Sequence, residues 1–205
     1  MFDKVGNMSL LPMNEITSLN QLDLQKSYSY ADYLLWKFEE RVEIIKGKIV
    51  AMSPAPTRFH QRISMKLTIE FSKFFDNHQC QIYSAPFDVR FPDKNGKVKT
   101  VVQPDLCVIC DISKLDERGC VGAPDLVVEI LSPGNTKREM KDKYELYQEQ
   151  GVKEYWIVSP ETQTIQIFVL ENGKYIGIQP VAEDEPATSV VFPALSFSTE
   201  KLYEL

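Results

Sequence analysis

Two carboxylates stand where an apolar strand would ordinarily exclude them. Asp105 opens the run Pro104-Asp105-Leu106-Cys107-Val108-Ile109, and Glu129 lies inside Leu126-Val127-Val128-Glu129-Ile130-Leu131. A carboxylate in such surroundings is costly to bury unless something neutralises it. Two of them about 4 Å apart repel by roughly 4 kcal/mol at an effective dielectric near 20. A divalent cation removes that penalty, and carboxylate and carbonyl oxygens suit Mg²⁺ or Mn²⁺. The pair therefore points to metal-assisted chemistry. Taken singly, Asp105 also fits a strand-entry turn and Glu129 an internal salt bridge. Asp125, after Pro124, fits strand entry better than a site.

Three further residues are candidates for the same site. On a helical wheel, Lys143 falls in the arc of Met140, Tyr144, Leu146 and Tyr147. A lysine on a buried face either snorkels or serves a polar site. Its alternative is an i,i+4 pair with Glu139, worth about 0.3–0.5 kcal/mol. Glu43 alternates with Val42 and Ile44, so it points away from their face. His60 shares a helix face with Ile63, Leu67 and Phe71, where a lone histidine is usually structural. Gln103 is expected to face away from Asp105 and receives little weight.

The elements that must hold these residues follow from periodicity. Ser29 to Phe38 reads as a short helix and Arg41 to Met52 as a hairpin turning at Lys46-Gly47. Thr57 to His78 reads as an amphipathic helix. Strands are expected at about 80–91, 98–110 and 124–131, then a helix over 136–150 ended by Gly151. Strands at 153–158, 164–170 and 175–179 complete the pattern. The strand–helix–strand unit over 124–158 is long enough for a parallel crossover. The expected fold class is α/β (α+β), a mixed β-sheet flanked by helices. Residues 1–26 read as a mobile N-terminal extension and 27–205 as one domain.

Composition narrows the class. The chain has 205 residues, 43% of them hydrophobic and 25% charged, which suits a water-soluble domain. No segment is apolar enough to span a bilayer and no secretory pattern opens the chain, which favours the cytoplasm. The net charge of −6 denies the whole surface a strong nucleic-acid footprint. Contact with DNA would need a local patch, for which Lys137, Arg138, Lys141 and Lys143 are candidates. Cys107 and Cys110 form a lone C-x-x-C. With Cys80 and Cys120 they read as buried free thiols.

The motifs also carry a resemblance. Arg41-Val42-Glu43-Ile44-Ile45-Lys46-Gly47, Met52-Ser53-Pro54, Val102-Gln103-Pro104-Asp105-Leu106, Pro124 through Pro133 and Gly151 through Val158 resemble a bacterial restriction endonuclease family of the PD-(D/E)XK nuclease superfamily. That resemblance spans about residues 28–180 and implies a restriction-endonuclease-like domain with DNA as substrate. It implies that Asp105, Glu129 and the Ile130 carbonyl hold Mg²⁺ or Mn²⁺. It also implies that Glu43 and His60 complete the site. Cutting both strands of a duplex is most simply done by two copies about a two-fold axis, so a homodimer is expected, with residues 190–197 and 28–38 offering apolar surface. The superfamily's lysine stands two residues beyond the second acid, where this chain has Leu131; Lys143 on the next helix is its substitute. The competing class is a nuclease-fold binding or interaction module with weak or no turnover.

Overall fold

The computed structural model describes residues 15–52, 56–133, 137–182 and 184–204. The first helix, α1 (Tyr30–Tyr33), is shorter than expected. The hairpin is β1 (Val42–Ile45) and β2 (Lys48–Ala51), with Lys46 and Gly47 both at positive φ in the turn. Helix α2 (Arg58–Phe75) starts at Thr57, whose hydroxyl accepts the His60 N–H at 3.2 Å.

The two long strands expected next are each divided at a proline. Residues 80–91 become β3 (Gln81–Ser84) and β4 (Asp88–Pro92), separated by Pro86. Residues 98–110 become β5 (Val98–Val102) and β6 (Leu106–Ile109), separated by Pro104. Proline has no N–H to give a ladder, so pairing stops there and the chain changes sheet. Then come β7 (Leu115–Asp116), β8 (Gly119–Val121), β9 (Leu126–Ile130) and helix α3 (Lys137–Gln150). The chain continues through β10 (Glu154–Ser159), β11 (Thr164–Glu171), β12 (Lys174–Gly177), β13 (Pro186–Thr188) and β14 (Ser196–Ser198).

One sheet has the order β2-β1-β5-β4-β8-β7, the other β12-β11-β10-β9-β6-β3. Both are mixed. Strands β9 and β10 pair in parallel across α3, as the crossover length required. The second sheet is covered on both faces. Leu106, Val108, Leu126, Val128 and Trp156 pack with Ile63, Leu67 and Phe71 of α2. Cys107, Ile109, Val127 and Tyr155 pack with Leu146 and Tyr147 of α3 and with Val89, Phe91 and Val102 of the first sheet. Strand alternation thus sends odd-numbered residues of β6 and β9 toward α3.

Several expectations need correction or a boundary. Residues 1–14 of the expected extension lie outside the described residues, as do Ser53 and Pro54; Ile16 bridges Trp36 and Leu22 is buried. The four cysteines are not all free. Register pairs Gln81 with Ile109, which sets Cys80 opposite Cys110 at a Cα–Cα distance of 3.9 Å, and these two form a disulfide. Cys107 and Cys120 are the buried free thiols, and burial raises both pKa values, that of Cys120 to about 11. The proposed basic patch is not a free one: Lys143 faces inward, while Arg138 lies 3.7 Å from Asp142 and Lys141 lies 3.6 Å from Glu145.

Candidate active site

Sheet pairing brings the two acids together. Strands β6 and β9 run antiparallel with Leu106 opposite Val128 and Cys107 opposite Val127. One step further along the same register sets Asp105 opposite Glu129, whose side chain meets α3. Directly opposed residues have Cβ atoms about 4.5–5.5 Å apart. The Ile130 N–H donates to Asp105 Oδ2 at 2.7 Å, which fixes that carboxyl at the sheet's end. Pro104 places it there: the chain has just left β5 and has not yet entered β6.

Lys143 comes from α3 and meets both buried glutamates. Its Nζ is 2.8 Å from Glu129 Oε1 and 3.1 Å from Glu43 Oε1. Burial alone would depress the ammonium's pKa, but the Glu129 and Glu43 carboxylates outweigh it and hold the value above that of ordinary lysine. Tyr147, one helical turn after Lys143, donates its hydroxyl to Glu129 Oε1 at 2.6 Å. Glu129 is the strained member. Burial pushes its pKa up to about 7, Lys143 pulls against that, and Asp105 and Glu43 add to the rise.

Glu43 is carried in by β1 and is 2% exposed, although it alternates with two buried aliphatics. Its Oε1 also accepts the Gln103 N–H at 2.9 Å. His60 reaches the site from α2. Its Nε2 lies 3.1 Å from the Ile130 carbonyl oxygen and 3.3 Å from Asp105 Oδ2. A carbonyl only accepts, so Nε2 carries a hydrogen. Burial disfavours the cationic ring; Asp105, then the Ile130 carbonyl and Glu129, overcome this and raise its pKa. A proton on Nδ1, which is buried, finds no acceptor among the described residues.

Glu43, His60, Asp105, Glu129 and Lys143 line one cavity of about 280 Å³, with Arg41, Gln103 and Ser132 beside them and Met52, Met65 and Met140 on its apolar side. Sequence reasoning placed Tyr147 only in the helix core and gave Gln103 little weight. Tyr147 stands at i+4 from Lys143, a spacing that signals a shared face. Gln103 carries no comparable local signal, because its partners arrive from β1 and β4.

The donors fit a hard cation in part. Among the described residues, no group of three His, Cys, Asp or Glu side chains is arranged to chelate a metal unaided. Lys143 and Tyr147 both bond Glu129 Oε1, while Ile130 N–H and His60 both approach Asp105 Oδ2. The second oxygen of each carboxyl is left without a protein donor among the described residues. Two opposed carboxylate oxygens, one backbone carbonyl and water form the kind of set Mg²⁺ accepts. The Ile130 carbonyl would share its second lone pair, since His60 holds the first. Three acids against one lysine also leave negative charge that a cation would balance.

A mixed-sheet fold thus carries this acid–acid–lysine cluster at a sheet junction. The family model "Putative restriction endonuclease" (Uma2) matches residues 30–200, and the chain belongs to that family. A crystal structure described as a putative nuclease from Anabaena variabilis has the same fold, with a TM-score of 0.67 at 19% identity, over 86% of this chain and 97% of that one. An uncharacterized protein of Synechocystis is 25% identical over 176 residues, covering 84% of this chain and 89% of that protein.

Proposed function

We propose that this chain is a metal-dependent endodeoxyribonuclease, with Mg²⁺ or Mn²⁺ held by Asp105, Glu129 and the Ile130 carbonyl. The observation that carries this reading is the register-opposed pair Asp105 and Glu129 with Lys143 2.8 Å from the second acid. A bound divalent cation would supply a water of lowered pKa and screen charge on the scissile phosphate.

The chain's own groups divide the remaining work. The Lys143 ammonium is held cationic, so its role is electrostatic: it orients the nucleophile and stabilises charge developing on phosphate oxygens. Glu43 pairs with Lys143 from the other side, and Tyr147 fixes the Glu129 oxygen that Lys143 meets. His60 ties the Ile130 carbonyl to Asp105 Oδ2 and so fixes both groups relative to each other.

Purified protein should nick or cut duplex DNA with Mg²⁺ or Mn²⁺ and stop on adding chelator. Asp105→Ala and Glu129→Ala should each abolish cutting. Asp105→Ala frees the Ile130 N–H and His60, and Glu129→Ala frees Tyr147 and one contact of Lys143, so the apo melting temperature should fall and cutting is compared on folded protein. Cutting that survives either substitution would refute the assignment. Metal-independent DNA binding without cutting would favour the binding-module reading.

A further inference from the structure

The cavity holds one cation that its acids do not neutralise. Lys143 is committed to Glu43 and Glu129. Arg41 also lines the cavity, at its exposed edge, and has no carboxylate within ion-pair distance among the described residues. Its guanidinium is held by a neutral group instead: Nε and Nη2 donate to Gln103 Oε1 at 3.3 and 2.8 Å. Gln103 is itself fixed. Its Nε2 donates to Asp88 Oδ1 at 2.9 Å, so the amide oxygen must face Arg41. Asp88 is set in turn by the Tyr30 hydroxyl at 2.9 Å. The Gln103 main-chain N–H holds Glu43, and two residues later comes Asp105.

This arrangement has a chemical meaning. Charge pairing with an acid would cancel the arginine. An amide brace orients it and leaves its charge unspent. A guanidinium carries five N–H donors in a planar fork. Two nitrogens face Gln103, which leaves Nη1 and the remaining Nη2 hydrogen for a planar or tetrahedral oxyanion. Arginine is the side chain suited to bidentate phosphate recognition, and bracing reduces the entropy lost on binding. The brace also stands on the segment that carries Asp105, so clamp and acid are fixed to one another.

We propose that Arg41, braced by Gln103, clamps a DNA phosphate beside the scissile one; the identity of that anion rests on the nuclease reading. The clamp also explains how an acidic protein admits a polyanion. The acids balance a cation, and Arg41 supplies the positive charge at the mouth.

The test measures affinity for a short fluorescent DNA duplex across a salt series, with Ca²⁺ replacing Mg²⁺ to hold hydrolysis back, and steady-state cutting with Mg²⁺ in parallel. Arg41→Gln should weaken affinity by roughly tenfold, the loss of one charged hydrogen-bonding group. It should also lower the slope of log affinity against log salt by about one, the loss of one phosphate contact. KM should rise while kcat stays within about twofold. Arg41→Lys should restore the slope and part of the affinity. An Arg41→Gln protein with wild-type affinity and slope overturns the clamp. So does an affinity loss with unchanged slope, a lysine variant that leaves the slope low, or wild-type protein without salt-dependent binding. Wild-type protein that binds through Arg41 but cuts nothing with Mg²⁺ leaves the clamp standing and refutes the nuclease reading instead.

Discussion

At Lys143 the charge of two acids overcomes burial. Two carboxylates within 3.1 Å keep it protonated at a depth that would otherwise strip its proton. Lys143→Met keeps the aliphatic stem and removes the charge. If the ammonium stabilises the transition state, kcat falls by roughly 10²–10³ while DNA affinity changes much less. If it only pairs buried acids, melting temperature falls and cutting persists. Glu129 gives a second test, free of substrate. Its folded-state pKa of about 7 exceeds the ordinary carboxyl value of 4.5. Between those values the folded protein binds more protons than the unfolded chain, so stability falls as pH rises. Its contribution is fully present below about pH 4.5 and lost as pH passes through about 7. In chelator, Glu129→Gln should flatten that decline relative to wild type in denaturant titrations at several pH values. A wild-type curve that rises across the same window would contradict the assigned shift.

At the scale of elements, another buried acid does the opposite job. Glu154 on β10 is 0% exposed and fully bonded. Its oxygens accept from Trp156 Nε1 at 2.6 Å, Ser189 Oγ at 2.7 Å, Val191 N–H at 2.7 Å and Val190 N–H at 3.2 Å. It fastens the turn between β13 and β14 to the central sheet. Glu154→Ala strands several donors at about 1–3 kcal/mol for each that stays buried. Unfolding midpoints should drop by at least about 3 kcal/mol equivalent on that scale, with the site chemistry intact in the folded fraction. Nothing local announced this latch. A glutamate in an apolar strand reads alike whether it meets backbone N–H groups, as Glu154 does, or a lysine, as Glu129 does. Local pattern was enough where the signal is periodic. The helices α2 and α3, the hairpin and the parallel crossover all follow from spacing. So does the inward turn of Lys143. Pattern failed where the outcome depends on distant pairing. Runs 80–91 and 98–110 look continuous because both halves are apolar, yet their prolines end one ladder and start another. Gln103, Arg41 and the Cys80–Cys110 bridge depend on which strands meet, and that information is not carried by neighbours in sequence.

At the scale of the whole molecule, one chain presents one cavity of this kind among its described residues, so on the proposed nuclease reading a single copy would offer one cut. Cutting both strands of a duplex is met most simply by two copies about a two-fold axis. Two apolar stretches are candidates for the contact, residues 190–197 and the α1 region over residues 28–38. The C-terminal one is largely spent, because Leu195 and Phe197 are buried in the core with Ala187. The α1 region retains apolar surface: Leu34 and Leu35, just after the helix, are 41% and 53% exposed. We propose that this surface forms a homodimer contact. Light scattering should give twice the chain mass at micromolar concentration. Leu35→Glu places a charge on that surface and should return the mass to a monomer without lowering the melting point, since the side chain is 53% exposed in the single chain. The consequence reaches the chemistry. If pairing couples the cuts, the Leu35→Glu protein should convert supercoiled plasmid to nicked circles and accumulate them, where wild type proceeds to linear DNA. A wild-type protein that is monomeric at every concentration removes the dimer and leaves nicking as the activity. A dimer indifferent to Leu35→Glu moves the contact elsewhere on the surface.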